Sequence, residues 1–307
     1  MPHIYPNAYF DNGIRPFTEA NLSVASSAVL YGLSVYTVFH VAKTERGLLA
    51  FRMPEHYKRM VDSAKIIGID TFPGQWTYDK FVAAVRDLFA ANQVKSDAFV
   101  RVSLHVDALL PGTRSRGMHS LLSMFIYDAA PIVPRAGARL KTSLWRRIPD
   151  NAIPSRAKVN GAYVNSVLAR QDAIDSGYDD CVLLDMSGHV CELSAANIFM
   201  VRDGVLITPD AHSDLLEGIN RKSLLQLAGE LGIPTLERFI DQTELYIADE
   251  VLICGTSSFI TPVVEIDGRR IGEQPPGPIT RQLQAAHEAA LRGDNAGHAD
   301  WATRVDQ

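Results

Sequence analysis

The chain has 307 residues, 47% of them hydrophobic and 21% charged, with 30 basic against 35 acidic side chains and a net charge of −5. That length allows two domains, or one large one, with a sizeable core. With no basic run or arginine stripe above this background, nucleic acid is not an expected partner.

The start, MPHIYPNAYFDNG, carries polar residues and prolines where a signal peptide needs an unbroken apolar stretch. Residues 6–50 read as short strands and turns: an Asp11–Asn12–Gly13 turn, then VYTVFHVA and GLLAFR. PEHYKRMVDSAKIIG predicts a helix, with Pro54 in its first turn and Gly68 at its end. A second helix is predicted in TYDKFVAAVRDLFAAN, where Phe81, Val82, Val85, Leu88 and Phe89 share one face. AFVRVSLHV and SLLSMFIYD read as strands. The most apolar stretch, LLSMFIYDAAPIV, is broken by Asp128 and falls short of the roughly 18 apolar residues of a membrane helix.

The Pro/Ala/Gly-rich stretch AAPIVPRAGAR marks residues 128–139 as an interdomain connection. Beyond it LKTSLWRRI reads as a strand, PDNAIPSRAKVNG as a loop and AYVNSVLARQDAIDSG as a helix closed by Gly177. CVLLD, HVCELSAANIFMVR and VLITP read as strands with hairpin signals, RKSLLQLAGEL as a helix, and ADEVLICG as a buried strand before TSS and FITPVVEIDGRRI. Periodicity alone gives two mixed α/β domains with a cleft between them. Cys181, Cys191 and Cys254 include no CxxC pair, which argues against a disulfide framework and for a reducing, cytoplasmic setting. The nine histidines show no HExxH or zinc-finger spacing, so no metal is expected. No GxGxxG follows a strand and no GxSxG is present, which disfavours a dinucleotide enzyme and a serine hydrolase.

Lys158, in RAKVNG, lies between a strand and an apolar-faced helix in a stretch with few other charges. A Schiff-base lysine needs an amine whose pKa is depressed by desolvation or nearby positive charge, whereas an isolated loop lysine is ordinarily solvated; context decides. Gly218–Ile219–Asn220 precedes a helix, so its backbone N–H groups can face an anion. Gly255–Thr256–Ser257 follows a strand and offers backbone and hydroxyl donors.

The segments IPSRAKVNGAYVNS, GYDDCVLLDMSGHVCELSAANIFMVRDGVLITP, LLEGINRKSLLQLA and LYIADEVLICGTSSFITPV, in this order and spacing, resemble the class IV aminotransferases, which are fold-type IV pyridoxal-phosphate (PLP) enzymes. Within that group the chain resembles the branched-chain amino acid aminotransferases. The resemblance spans most of the chain and is strongest from about Lys158 to Val263.

It implies an α/β (α+β) two-domain fold: a small N-terminal α/β domain (1–127), the loop 128–139, and a larger PLP-binding domain (140–307) with a mixed β-barrel-like sheet and flanking helices. The implied reaction is ping-pong transamination between an amino acid, of the L-branched-chain type, and a 2-oxo acid such as 2-oxoglutarate. Lys158 would be both Schiff base and general acid/base, and Glu192 would sit at the cofactor's pyridine nitrogen, keeping it protonated so that the ring withdraws electrons. Arg59, Gly218, Ile219, Asn220, Gly255, Thr256 and Ser257 would hold the phosphate, and Tyr163 would lie near the phenolic oxygen. Tyr31, Tyr36, Phe99, Arg101, Ser257 and Ser258 would meet the substrate, with Tyr31 reaching a neighbouring subunit of a homodimer.

Several positions depart from the branched-chain pattern. Phe-Glu-Gly is Tyr36–Thr37–Val38 here, Ile-Thr is Ile219–Asn220, Glu-Asn is Ala196–Asn197, and the tyrosine two residues before Arg101 is Phe99. HVDALLPGTRSRGMHS, with His105, Arg114 and Arg116, replaces a glycine-rich substrate loop; an arginine pair there could admit an acidic or bulkier donor. D-amino-acid or (R)-amine transamination and aminodeoxychorismate cleavage share the lysine, glutamate and phosphate apparatus and remain the alternatives. A silent binding relative is disfavoured because the lysine and the acid are both present.

Overall fold

In the computed structural model, which describes residues 2–306, the predicted Asp11–Asn12–Gly13 turn joins β1 (Asn7–Phe10) to β2 (Gly13–Pro16). Asp11 and Asn12 both take positive φ, the conformation a tight hairpin needs to match strand twist. After the short α1 (Ser27–Leu30), the β-branched and aromatic runs form β3 (Ser34–Thr44) and β4 (Gly47–Phe51). Then come α2 (Met53–Ile66), the single turn α3 (Phe72–Gln75), α4 (Tyr78–Asn92), β5 (Ala98–Val106) and β6 (Ser120–Asp128). Thr77 caps α4 by accepting the Lys80 N–H.

The order β4-β3-β5-β6-β1-β2 is antiparallel throughout. Period-two alternation divides its faces. Val35, Phe39, Val41, Val100, Val102, Leu104, Leu122, Met124 and Ile126 join Met60 of α2 and Phe81, Val85, Leu88 and Phe89 of α4 in one core. Each such burial contributes about 1.5–3 kcal/mol. Tyr36 and Ser103, Val38 and Arg101, and Ser34 and His105 pair on the opposite face.

The second unit comprises Pro131–Arg156 and Tyr163–Glu288. It contains β7 (Ala138–Arg146), α5 (Tyr163–Asp175), β8 (Asp180–Leu184), β9 (Val190–Leu193), β10 (Asn197–Arg202), β11 (Val205–Thr208), α6 (Ile219–Glu230), β12 (Thr235–Glu237), α7 (Gln242–Tyr246), β13 (Glu250–Gly255), β14 (Phe259–Ile266) and β15 (Arg269–Arg270). Its sheet runs β12-β11-β10-β13-β14-β7-β8-β9, with β15 on β14. The β7 strand lies parallel to β14 and β8, so the sheet is mixed. HVCELSAANIFMVR, read from sequence as one strand segment, is two: the chain reverses at Ser194–Ala196, where the Leu193 N–H bonds the Ala196 carbonyl at 2.7 Å. That tight reversal joins β9, at one end of the strand order, to β10 near the other, and the sheet curls.

The first unit takes in the chain up to Ala130, Ala157–Ala162 and the chain from Ala289 onward. After α8 (Pro278–Leu291), β16 (Ala302–Arg304) adds to the free edge of β4. Trp301, 2% exposed, lies beneath the Arg52 guanidinium at 4.3 Å and edge-on to Phe51. Among the described residues no helix is long and apolar enough to cross a membrane.

Candidate active site

Lys158 belongs to the first unit because its segment behaves as an extra strand end on β3. Val159 bridges Val35, the Tyr36 N–H donates to the Lys158 carbonyl at 3.0 Å, and the Asn160 N–H donates to the Ser34 carbonyl at 2.9 Å. From the other side the Lys158 N–H donates to Ser63 Oγ of α2 at 3.1 Å. This docking requires close backbone approach: a Cβ on Gly32, already at φ +63°, would stand 2.8 Å from the Gly161 Cα. Lys158 is thereby half-buried, with Nζ 4.8 Å from the centre of the Tyr36 ring.

The positive charges cluster around that ring. Arg101, from β5, lies over it at 3.8 Å and donates to Asn160 Oδ1 at 2.6 Å. Arg59 donates to Thr37 Oγ1 at 3.0 Å, and the same hydroxyl exchanges a 2.6 Å hydrogen bond with His56 Nδ1. Burial, and then the charges of Arg59, Lys158 and Arg52, hold His56 well below the usual imidazole range. His105 is bonded to Ser123 Oγ and is pushed down to about 4, first by burial and then by Arg101.

In the second unit, Glu192 of β9 is 7% exposed. Its Oε1 meets Arg147 Nη2 at 3.0 Å, and its Oε2 accepts from Asn197 Nδ2 at 3.2 Å and from the Leu216 N–H at 3.1 Å. Asn197 also donates to the Leu216 carbonyl at 2.9 Å, tying β10 to the loop that leads into α6. Gly218 is the N-cap of α6 and offers no side-chain cap, so the first-turn N–H groups have no partner from it. Only glycine fits there: a Cβ would lie 2.1 Å from Asn197 Oδ1. Ile219 and Asn220 are buried, and Asn220 Oδ1 meets His287 Nε2 at 3.0 Å.

Gly255 ends β13 against the Ala195 carbonyl, and the Ser257 carbonyl accepts from the Ile132 N–H. Thr256 is partly exposed, whereas Ser258 is buried with its Oγ lacking a hydrogen-bond partner among the described residues. Tyr163 opens α5 half-buried. Tyr31, at the end of α1, is 46% exposed. Phe99 is fully buried, packed between His40 and Tyr127. Arg114 and Arg116 are exposed, and Arg114 Nη2 lies against Met118 Sδ.

Sequence reasoning named Lys158, Glu192 and Arg101 but missed their partners Arg147, Asn160 and Leu216, and the Thr37–His56–Arg59 chain. A buried strand carboxylate calls for an arginine, but only the fold shows which one.

Residues 35–266 match the family model described as amino-transferase class IV. The chain is 35% identical over 302 residues to a probable branched-chain-amino-acid aminotransferase of Aquifex aeolicus, covering 97% of this chain and 96% of that one. The crystal structure of the branched-chain aminotransferase from the thermophilic archaeon Thermoproteus uzoniensis with norvaline superposes with a TM-score of 0.93 at 32% identity, covering 98% of this chain and 99% of that one. The branched-chain amino acid aminotransferase from Thermobaculum terrenum in its PLP form gives a TM-score of 0.90 at 30% identity, covering 99% of each chain.

Proposed function

The chain belongs to the class IV aminotransferase family, and from that premise we propose how its residues divide the work of transamination. It is a PLP-dependent aminotransferase of the branched-chain type, with the fold-type IV architecture. Its residues fit the cofactor: a buried carboxylate held by a guanidinium, an amide and a backbone N–H suits a protonated pyridine nitrogen. The glycine-headed α6, without a side-chain cap, suits a phosphate. Bound PLP supplies an aldehyde carbon for amine exchange and an electron-poor ring that takes up negative charge from the substrate Cα.

Lys158 Nζ would tether the cofactor, and as a free amine it would take the proton from the substrate Cα and pass it to the cofactor's C4′ carbon. Glu192 keeps the pyridine nitrogen protonated, and Arg147 and Asn197 fix its carboxylate. Gly218, Ile219 and Asn220, Gly255, Thr256 and Ser257, and Arg59 hold the phosphate; Tyr163 orients the phenolic oxygen. Tyr31, Tyr36, Arg101, Ser257 and Ser258 form the substrate contacts; Phe99, fully buried against His40 and Tyr127, has no surface to offer a substrate. The amino donor is an L-branched-chain amino acid and the acceptor is 2-oxoglutarate. The observation that carries this reading is the buried, triply anchored Glu192 carboxylate.

Val29 and Leu30 of α1, Tyr31 at its end, and Leu109 and Leu110 are exposed apolar residues on two segments tied by the Ser26–Leu109 bridge, and they support a homodimer. A monomeric mass in sedimentation contradicts that assembly. Three buried, unpaired cysteines support a cytoplasmic setting; purified protein with those thiols oxidised contradicts it.

A panel of L-leucine, D-alanine and an (R)-aryl amine against 2-oxoglutarate and pyruvate tests the reaction. L-Leucine with 2-oxoglutarate is expected to be the fastest pair. Faster turnover of D-alanine or the amine overturns the branched-chain assignment.

A further inference from the structure

Arg101 is a half-buried guanidinium that carries no ion pair among the described residues; it lies on the Tyr36 ring and has Asn160 as its hydrogen-bond acceptor. A guanidinium presents five donors in a rigid fork, so one neutral acceptor leaves most of that capacity for an anion. Asn160 is itself fixed twice. Its Nδ2 donates to Ser34 Oγ at 2.7 Å, and its backbone N–H donates to the Ser34 carbonyl at 2.9 Å. Ser34 is 3% exposed and opens β3. Arg101 is therefore clamped between an aromatic face and an amide that stands two residues from Lys158, although Arg101 and Asn160 are 59 residues apart in sequence.

We propose that Asn160 is a positioning residue that sets Arg101 to receive the distal carboxylate of a dicarboxylic substrate, so that the acceptor is distinguished from the branched-chain donor. The proposal rests on the transaminase reading above and adds a specificity determinant to it. The choice of amide matters. A carboxylate at position 160 would close the guanidinium in an ion pair and compete with the substrate; an apolar side chain would release it from the Tyr36 ring. The neutral Asn160 orients Arg101 without cancelling its charge. A branched-chain donor has no second carboxylate for Arg101, so its affinity should be nearly indifferent to residue 160.

The test uses the PLP-loaded enzyme and two unreactive probes, glutarate and 4-methylpentanoate, with Asn160→Ala, Asn160→Asp and Ser34→Ala. Glutarate binding is expected to weaken about 10-fold or more in Asn160→Ala, the scale of one charge-assisted hydrogen bond, and further in Asn160→Asp. Ser34→Ala, which removes the acceptor of the Asn160 side chain, shifts it in the same direction by less. In all three, 4-methylpentanoate binding stays within about twofold, and KM for 2-oxoglutarate rises while kcat with saturating substrates changes little. Equal weakening of both probes, or no change in glutarate binding, overturns the proposal. Ser34→Ala keeps the test decisive if a change at position 160 impairs folding. The visible absorbance of the PLP-loaded wild-type protein reports the cofactor reading independently, so a flat glutarate response in a protein with that absorbance counts against Asn160 alone.

Discussion

Glu192 is an anion with little access to water, and such a group persists only where donors replace the lost solvent. Arg147, Asn197 and the Leu216 N–H supply that replacement, each from a different stretch of chain. On the proposed role, Glu192→Gln keeps the shape but would remove the charge that holds a proton on the pyridine nitrogen. PLP is therefore expected to bind while kcat falls about 100-fold, the scale for losing one preorganised electrostatic group. Steady-state kinetics beside a cofactor titration check this, and an unchanged kcat contradicts the role. At this scale the sequence singles out Lys158 and Glu192 because they stand in motifs. Arg147 and Asn160 were not, because nothing local in RRIPDN or KVNG says which distant side chain each will meet.

The start of α6 shows how one element serves as a scaffold. Its cap is a glycine because the Asn197 side chain occupies the space a Cβ would need, and that same side chain anchors Glu192. Gly218→Ala therefore strains the helix head and the Glu192 support together. A loss of about 1–3 kcal/mol is expected, as for overpacking, together with weaker PLP binding. Thermal unfolding with and without PLP measures both; wild-type values in both contradict this account. Most strands and the helices α2, α4 and α6 were readable from periodicity and flanking residues, since their apolar faces match what they bury; α5 instead buries Ser166, Ala169 and Ala173 and leaves Val164, Val167, Leu168 and Ile174 exposed. The break between β9 and β10 was not, because Ser-Ala-Ala carries no Gly or Pro to mark a turn and tertiary bonds set it. The helix α8 went unread behind a Pro/Gly-rich approach, although its Leu283, His287 and Leu291 are buried at helical spacing.

For the whole molecule, the chain's return to its first unit is the feature that local sequence conveys least. Ala157–Ala162 brings Lys158 onto β3, and β16 with Trp301 closes the far edge of the same sheet. The first unit also stores a pH dependence. His56 and His105 titrate below their unfolded values, so between about pH 6.5 and the low folded values the unfolded chain binds protons that the native state does not. Stability therefore rises with pH in that window and is lost on acidification, by up to about 1.4 kcal/mol per pH unit for each group. Urea midpoints should fall from pH 7 to pH 5, and His105→Gln should flatten the fall; a midpoint that rises on acidification contradicts the sign. The central claim is that the half-buried Lys158 amine, docked against β3, is the cofactor's covalent anchor, and borohydride reduction of the PLP-loaded protein followed by intact-mass analysis and peptide mapping tests it most directly. One phosphopyridoxyl group per chain, on the peptide containing Lys158, is the expected result. A label on another lysine, or a stoichiometric cofactor that reduction leaves unattached, contradicts it.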